Sequence, residues 1–159
     1  MFYSQGMLVS VYSVRKRREE GLGWFKGGEN IGFNRVNLSR THHQDTYYSL
    51  YFEYEFEHPN DEVYFSLTQP YTYSRLSATI DSLKHHTPKG ITLEVKTLAY
   101  SISNNIIPLL RFGKEGRSYN QAILVMGRQH PCETVGSFIG EALMRELLKE
   151  SQVSEWLLD

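Results

Sequence analysis

A chain of 159 residues, 40% apolar and 22% charged, can bury a core as one domain or as parts of two and is not disordered throughout. A net charge of −1 argues against a nucleic-acid or membrane surface as the main partner, and no apolar run approaches the ~18 residues of a membrane span. The single cysteine, Cys132, excludes an internal disulfide.

That cysteine usage also fits a reducing compartment. The first residues, Met1 to Gly6, carry no basic region ahead of an apolar stretch, so no signal peptide is expected and the expected location is the cytoplasm. Aromatic residues reach 13%, with eleven tyrosines concentrated in the first half, which suits a β-rich segment.

Residues 7–14 read as a strand. The basic quartet Arg15-Lys16-Arg17-Arg18 could be a nuclear address or a nucleic-acid patch, but Glu19 and Glu20 directly after it favour a solvated loop. The Gly-rich stretch from Gly21 to Gly32, with Trp24 and Phe25, also reads as loop. Residues 46–57 form the clearest strand, with Tyr48, Leu50, Phe52, Tyr54 and Phe56 alternating against Ser49, Tyr51, Glu53, Glu55 and Glu57. His58-Pro59-Asn60-Asp61 is turn chemistry, and Val63, Phe65 and Leu67 alternate again, so 46–67 is expected to be an antiparallel hairpin with one wet face.

The pattern changes near residue 70. Tyr73, Leu76, Ile80 and Leu83 recur at helical spacing until Thr87-Pro88-Lys89-Gly90, and strands follow at about 91–99 and 105–112. Lys114 to Arg117 is a turn, and Ala122–Met126 is a continuous apolar run that reads as a strand covered on both faces. Thr134 is a plausible N-cap for a helix whose stripe is Val135, Phe138, Ile139, Ala142, Leu143 and Leu147, with Glu141, Arg145 and Lys149 facing out. An all-β segment, 1–70, thus precedes an α/β segment, 71–159.

Between that last strand and helix lies His130-Pro131-Cys132-Glu133. A His-x-x-Glu in a loop at the end of a strand can place an imidazole nitrogen and a carboxylate oxygen on one Zn²⁺, and sites of open α/β sheets lie beyond the carboxyl ends of strands. The spacing alone is common, since His42 has Asp45 three residues on and His58 has Asp61. Those two pairs sit in polar turns and read as solvated, as do His85 and His86. Cys132 as a further ligand would place three donors within four residues, which is sterically awkward.

Arg128-Gln129-His130-Pro131-Cys132-Glu133-Thr134 resembles the Arg-x-His-Pro-Gly-Glu-Thr signature of the cytosolic carboxypeptidases, a branch of the zinc metallocarboxypeptidases. Tyr47-Tyr48-Ser49-Leu50 with Phe52 and Phe56, Val63-Tyr64-Phe65-Ser66, and Pro70-Tyr71-Thr72-Tyr73-Ser74 are similar to that family's upstream blocks. Gly6-Met7, Tyr12-Ser13-Val14, and Trp24 ahead of Gly28 and Ile31 match as well, in order along nearly the whole chain.

The resemblance implies the later strands of an antiparallel β-sandwich domain over 1–70 and the opening part of an α/β zinc-carboxypeptidase domain over 71–159. It makes His130 and Glu133 two of three protein ligands to one Zn²⁺. The third ligand (a distal His), the arginines that hold the substrate carboxylate and the general-base Glu are expected beyond Asp159, so no catalytic residue is expected within 1–159. The implied reaction removes C-terminal or side-chain glutamates from proteins, with acidic C-terminal tails such as those of tubulin as partners and no nucleic acid or membrane involved. The alternative is an inactive truncated form or pseudoenzyme acting as a protein-interaction domain. One departure bears on the site: Cys132 stands where the family usually has Gly. Ser154 to Asp159 resembles the stretch leading into the family's next strand.

Overall fold

The computed structural model of the chain describes residues 7–36 and 47–159. Gly6, the pair His42/Asp45 and the start of the strand expected at residue 46 lie outside the described residues. The chain divides into two compact units, Met1–Pro70 and Tyr71–Asp159.

In the first unit, strand β1 (Val9–Ser13) is the middle of a three-stranded antiparallel sheet, between β2 (Phe25–Gly27) and β5 (Val63–Ser66). Central position suits its β-branched residues. Val9 and Val11 are almost fully buried, as are Ser10 and Ser13. Helix α1 (Val14–Glu20) follows directly, so the basic quartet is helical, not a loop. The reason lies 48 residues away. Ser13 Oγ accepts from Lys16 N at 2.9 Å and donates to Asp61 Oδ2 at 2.5 Å, while Asp61 Oδ1 accepts from Arg15 N at 3.0 Å. Two side chains thus satisfy the open amides of the first turn, and Gly21 ends the helix at φ 73. Arg15 and Arg18 pair with Glu19, and Lys16 with Glu57, at the protein surface.

The Gly-rich stretch expected to be loop contains β2 and the start of β3 (Glu29–Val36), which pairs antiparallel with β4 (Tyr47–Glu53). Gly32 lies opposite Tyr51, and a Cβ there would fall 1.9 Å from the Tyr51 ring. The missing side chain makes room for the ring. The expected 46–67 hairpin does not form: β4 pairs with β3, β5 pairs with β1, and β4 stops at Glu53. Alternation assigns faces but not partners, and the turn through Asn60 (φ 58) sends Asp61 to the end of α1 instead. Phe52, Tyr54, Phe56 and Phe65 form an aromatic group with ring centroids 5.1–6.3 Å apart.

In the second unit, helix α2 (Tyr73–His85) starts from Thr72, whose Oγ1 accepts from Arg75 N at 3.1 Å, and it buries Thr79, Ile80 and Leu83. Strands β6 (Ile91–Tyr100) and β7 (Ile106–Lys114) form an antiparallel pair, in register from Ile91↔Lys114 to Tyr100↔Ile106. These elements match their sequence patterns. The strand expected at 122–126 is absent. Residues 121–129 join no ladder, and Ile123 and Leu124 are 78% and 76% exposed. A strand exists only where neighbours take its amides and carbonyls, and no such neighbour stands beside this run among the described residues.

Helix α3 (Thr134–Leu147) begins as expected, except that Glu133 and not Thr134 is the cap residue. Its burial follows the expected stripe in part: Phe138, Leu143 and Leu147 are half-buried and Arg145 and Lys149 face out, but Val135, Ile139 and Ala142 are exposed, while Glu141 is only 8% exposed. Helix α4 (Gln152–Leu158) is capped by Ser151, whose Oγ accepts from Ser154 N at 3.1 Å, and it buries Leu158. The fold is therefore mixed, with antiparallel sheets and helices. Among the described residues no helix is long and apolar enough to cross a membrane.

Candidate metal centre

The loop before α3 is fixed by its backbone. Gly127 and Gly136 face each other so closely that a Cβ on Gly127 would meet Gly136 O at 2.7 Å, and one on Gly136 would meet Arg128 N at 2.9 Å. Real side chains do not tolerate such contacts with backbone, so these two glycines press the loop onto the first turn of α3. Thr134 N donates to Cys132 O at 2.9 Å and Gly136 N to Glu133 O at 3.2 Å, closing the turn. Arg128 (φ 61) and Cys132 (φ 65) both take left-handed backbone conformations. For a residue with a Cβ that geometry costs about 1–2 kcal/mol.

The turn through Cys132 brings its neighbours together. His130 Nδ1 lies 3.0 Å from Glu133 Oε2, and both side chains are about two-thirds exposed, at 66% and 65%. The test of the pair is whether these donors suit zinc. One imidazole nitrogen and one carboxylate oxygen are a zinc donor set, and 3.0 Å lets both reach one ion at about 2.0–2.2 Å. They fit as part of a centre. No group of three or more His, Cys, Asp or Glu able to hold a metal occurs among the described residues.

The other histidines among the described residues, His58, His85 and His86, complete no such group, and the buried Nε2 of His58 has no hydrogen-bond partner. Asp61 of the His58/Asp61 pair is committed to Ser13 and to the amides of Arg15 and Glu62. His85 and His86 each place Nδ1 2.7 Å from a carbonyl oxygen one turn back in α2, those of Asp81 and Ser82. Cys132 is exposed.

Sequence reading missed the cluster that ties α3 to α2. Glu141 accepts from Arg75 Nε at 2.9 Å and from Arg145 at 3.0 and 3.1 Å. The Arg75 guanidinium lies 5.0 Å from the Tyr71 ring centre and 4.8 Å from that of Phe138, and those rings meet edge-on at 5.1 Å. The buried Tyr71 hydroxyl sits by Thr79 and Glu141 without a well-formed hydrogen bond, and burial raises its pKa. Burial opposes ionisation of Glu141 too, but the Arg75 and Arg145 bonds outweigh it and hold its carboxyl below the ordinary value. Arg128 Nη1 reaches Tyr71 O at 3.5 Å, joining the loop to the same cluster. The sequence signal was Glu141 with Arg145 four residues on, on the supposed outer face of α3, while Arg75 lies 66 residues away in the chain.

The chain is similar along almost its entire length to named proteins. It is 26% identical over 160 residues to Cytosolic carboxypeptidase 3 of Mus musculus, covering 99% of this chain and 16% of that protein. It is 29% identical over 162 residues to Cytosolic carboxypeptidase 2 of Xenopus tropicalis, with the same coverage. With Cytosolic carboxypeptidase 1 of Mus musculus it shares 27% identity over 172 residues, covering 98% of this chain and 14% of the relative. The chain spans about a sixth of the length of the curated relatives it matches. No protein-family model matches it.

Proposed function

We propose that the chain is part of a cytosolic carboxypeptidase, the proteins to which it is similar, and that it contributes two zinc ligands, His130 and Glu133, to a metallocarboxypeptidase that removes glutamates from protein C-termini or side chains. The observation that carries the reading is the 3.0 Å approach of His130 Nδ1 to Glu133 Oε2, inside the motif that resembles the family signature. When bound, Zn²⁺ activates a water molecule and polarises the scissile carbonyl. This chain's own part is to hold the imidazole and carboxylate on a loop fixed against α3 by Gly127 and Gly136, with Arg128 on Tyr71 O and the Glu141 cluster behind it. Acidic protein tails, tubulin-like, are the proposed substrate, and the cytosol is the proposed location.

A second reading is an inactive truncated form or pseudoenzyme that offers an interaction surface, and the exposed apolar run Ile123 to Met126 is what favours it. The ligand assignment and the expected inactivity of the 159-residue chain alone are tested separately. In a zinc titration followed by NMR of the histidine rings, His130 should respond before His58, His85 and His86. Glu133→Gln should weaken that response at least ~10-fold, since even outer partners of a metal site commonly cost 10–100-fold. If His85 and His86 respond first, the ligand assignment fails. With zinc added, the chain alone should release no glutamate from an oligoglutamate peptide. Release beyond that of a His130→Ala control would refute the inactivity.

A further inference from the structure

At the base of the β6–β7 pair lies a cleft of about 310 Å³ lined by Arg111, Lys114, Arg117, Glu94 and Tyr119, three cations against one carboxylate. Its wall is built, not incidental. The Tyr119 hydroxyl accepts from Lys114 N at 2.6 Å and donates to Leu158 O at 2.9 Å. Gly113 leaves space for that ring, since a Cβ there would come within 3.2 Å of Tyr119 Cε2. The Arg117 guanidinium stands 6.0 Å from the same ring centre. Two of its cations already hold a carboxylate beside the cleft, for Asp159 Oδ1 accepts from both Lys114 Nζ and Arg117 Nη1. That internal acid is half exposed, at 51%, and so open to exchange with solvent. Glu94 is engaged by Lys96 at 2.8 Å, and Arg111 stands opposite Glu94 in the ladder.

We propose that this cleft binds an acidic peptide segment, one carboxylate displacing that of Asp159 from Lys114 and Arg117 while Arg111 takes a second. The cations are on one hairpin and its following turn, so the site is pre-organised, and guanidinium–carboxylate bonds supply both attraction and orientation. It uses neither His130 nor Glu133 and stands whether or not those residues bind metal. If Lys114, Arg117 and Asp159 form only a surface tether, an added acidic peptide gains nothing there.

The test is fluorescence anisotropy of a labelled hexaglutamate peptide with the 159-residue chain in EDTA at low salt. Saturable binding that weakens as salt rises is expected. Arg117→Glu and Arg111→Glu should each weaken it about 10-fold or more, the scale of one lost charged contact. Asp159→Asn, which removes the internal competitor, should tighten it several-fold. Should Arg117→Glu unfold the chain by circular dichroism, Arg111→Gln, which leaves the Asp159 tether in place, decides in its stead. Hexaserine binding as well as hexaglutamate, or affinity unchanged by the Arg111 substitutions, overturns the site.

Discussion

Cys132 shows how much one residue can reveal about a loop. Its φ of 65 is the region that glycine enters freely, and the family signature it resembles carries glycine at that position. Replacing Cys132 with Gly removes a left-handed strain of about 1–2 kcal/mol and adds about 0.5–1 kcal/mol of unfolded-state entropy loss. A net gain of up to about 1.5 kcal/mol is expected, read as a higher melting temperature, with Cys132→Val moving it the other way. Glu141 is the residue-scale test of the buried cluster. Its Gln variant loses charged hydrogen bonds to two arginines and should cost about 1–3 kcal/mol. Because the folded-state pKa is lowered, the unfolded state takes up the proton first. The stabilisation is present above the ordinary carboxylate range and is lost as pH falls through and below it. The wild-type chain should lose stability in that acidic window more steeply than Glu141→Gln, as urea melts at several pH values would show.

Among the elements, α1 and β4 show where local pattern stops being informative. The helix is nucleated by Asp61, which the Ser13 hydrogen bond, first among several, holds below its ordinary pKa. A window around Arg15–Arg18 contains no trace of that partner. Asp61→Ala removes a capping acceptor and should cost about 0.5–2 kcal/mol, seen as reduced helical signal and faster amide exchange at Arg15 and Lys16. In and just after β4 the alternating aromatics gave Leu50, Phe52 and Tyr54 a half-buried face, whereas Tyr48 and Phe56, expected on the same face, are exposed, and period two is silent on whether the neighbour is β3 or β5. By contrast α2, β6 and β7 were legible, because caps, turn residues and periodicity lie within the elements themselves. The motif His130-Pro131-Cys132-Glu133 was legible as a pair of donors. The glycine contact that positions it was not, since Gly127 and Gly136 meet only in space.

At the scale of the whole chain, exposed apolar side chains gather where the sequence predicted cover. Ile123 to Met126, Val135 and Ile139 lie at 56–78% exposure, and Leu98 and Tyr100 extend the same condition along β6. Surface of this kind promotes association. The 159-residue chain should therefore bind a hydrophobic dye and sediment as concentration-dependent oligomers, and Leu124→Lys with Ile139→Lys should reduce both. A monomer that leaves the dye dark would count against this reading.

The contact between Gly127 and Gly136 has a consequence for descent. Since it seats the loop through backbone alone, it asks nothing of the imidazole or the carboxylate, and it can outlive them. If His130 and Glu133 hold a metal as proposed, a lineage that stops using it is free to drift at both, while any residue larger than glycine at the two contact points still pries the turn from its helix. The glycines should thus be the last part of the motif to decay, and their presence in a descendant would record the old scaffold after the chemistry had gone.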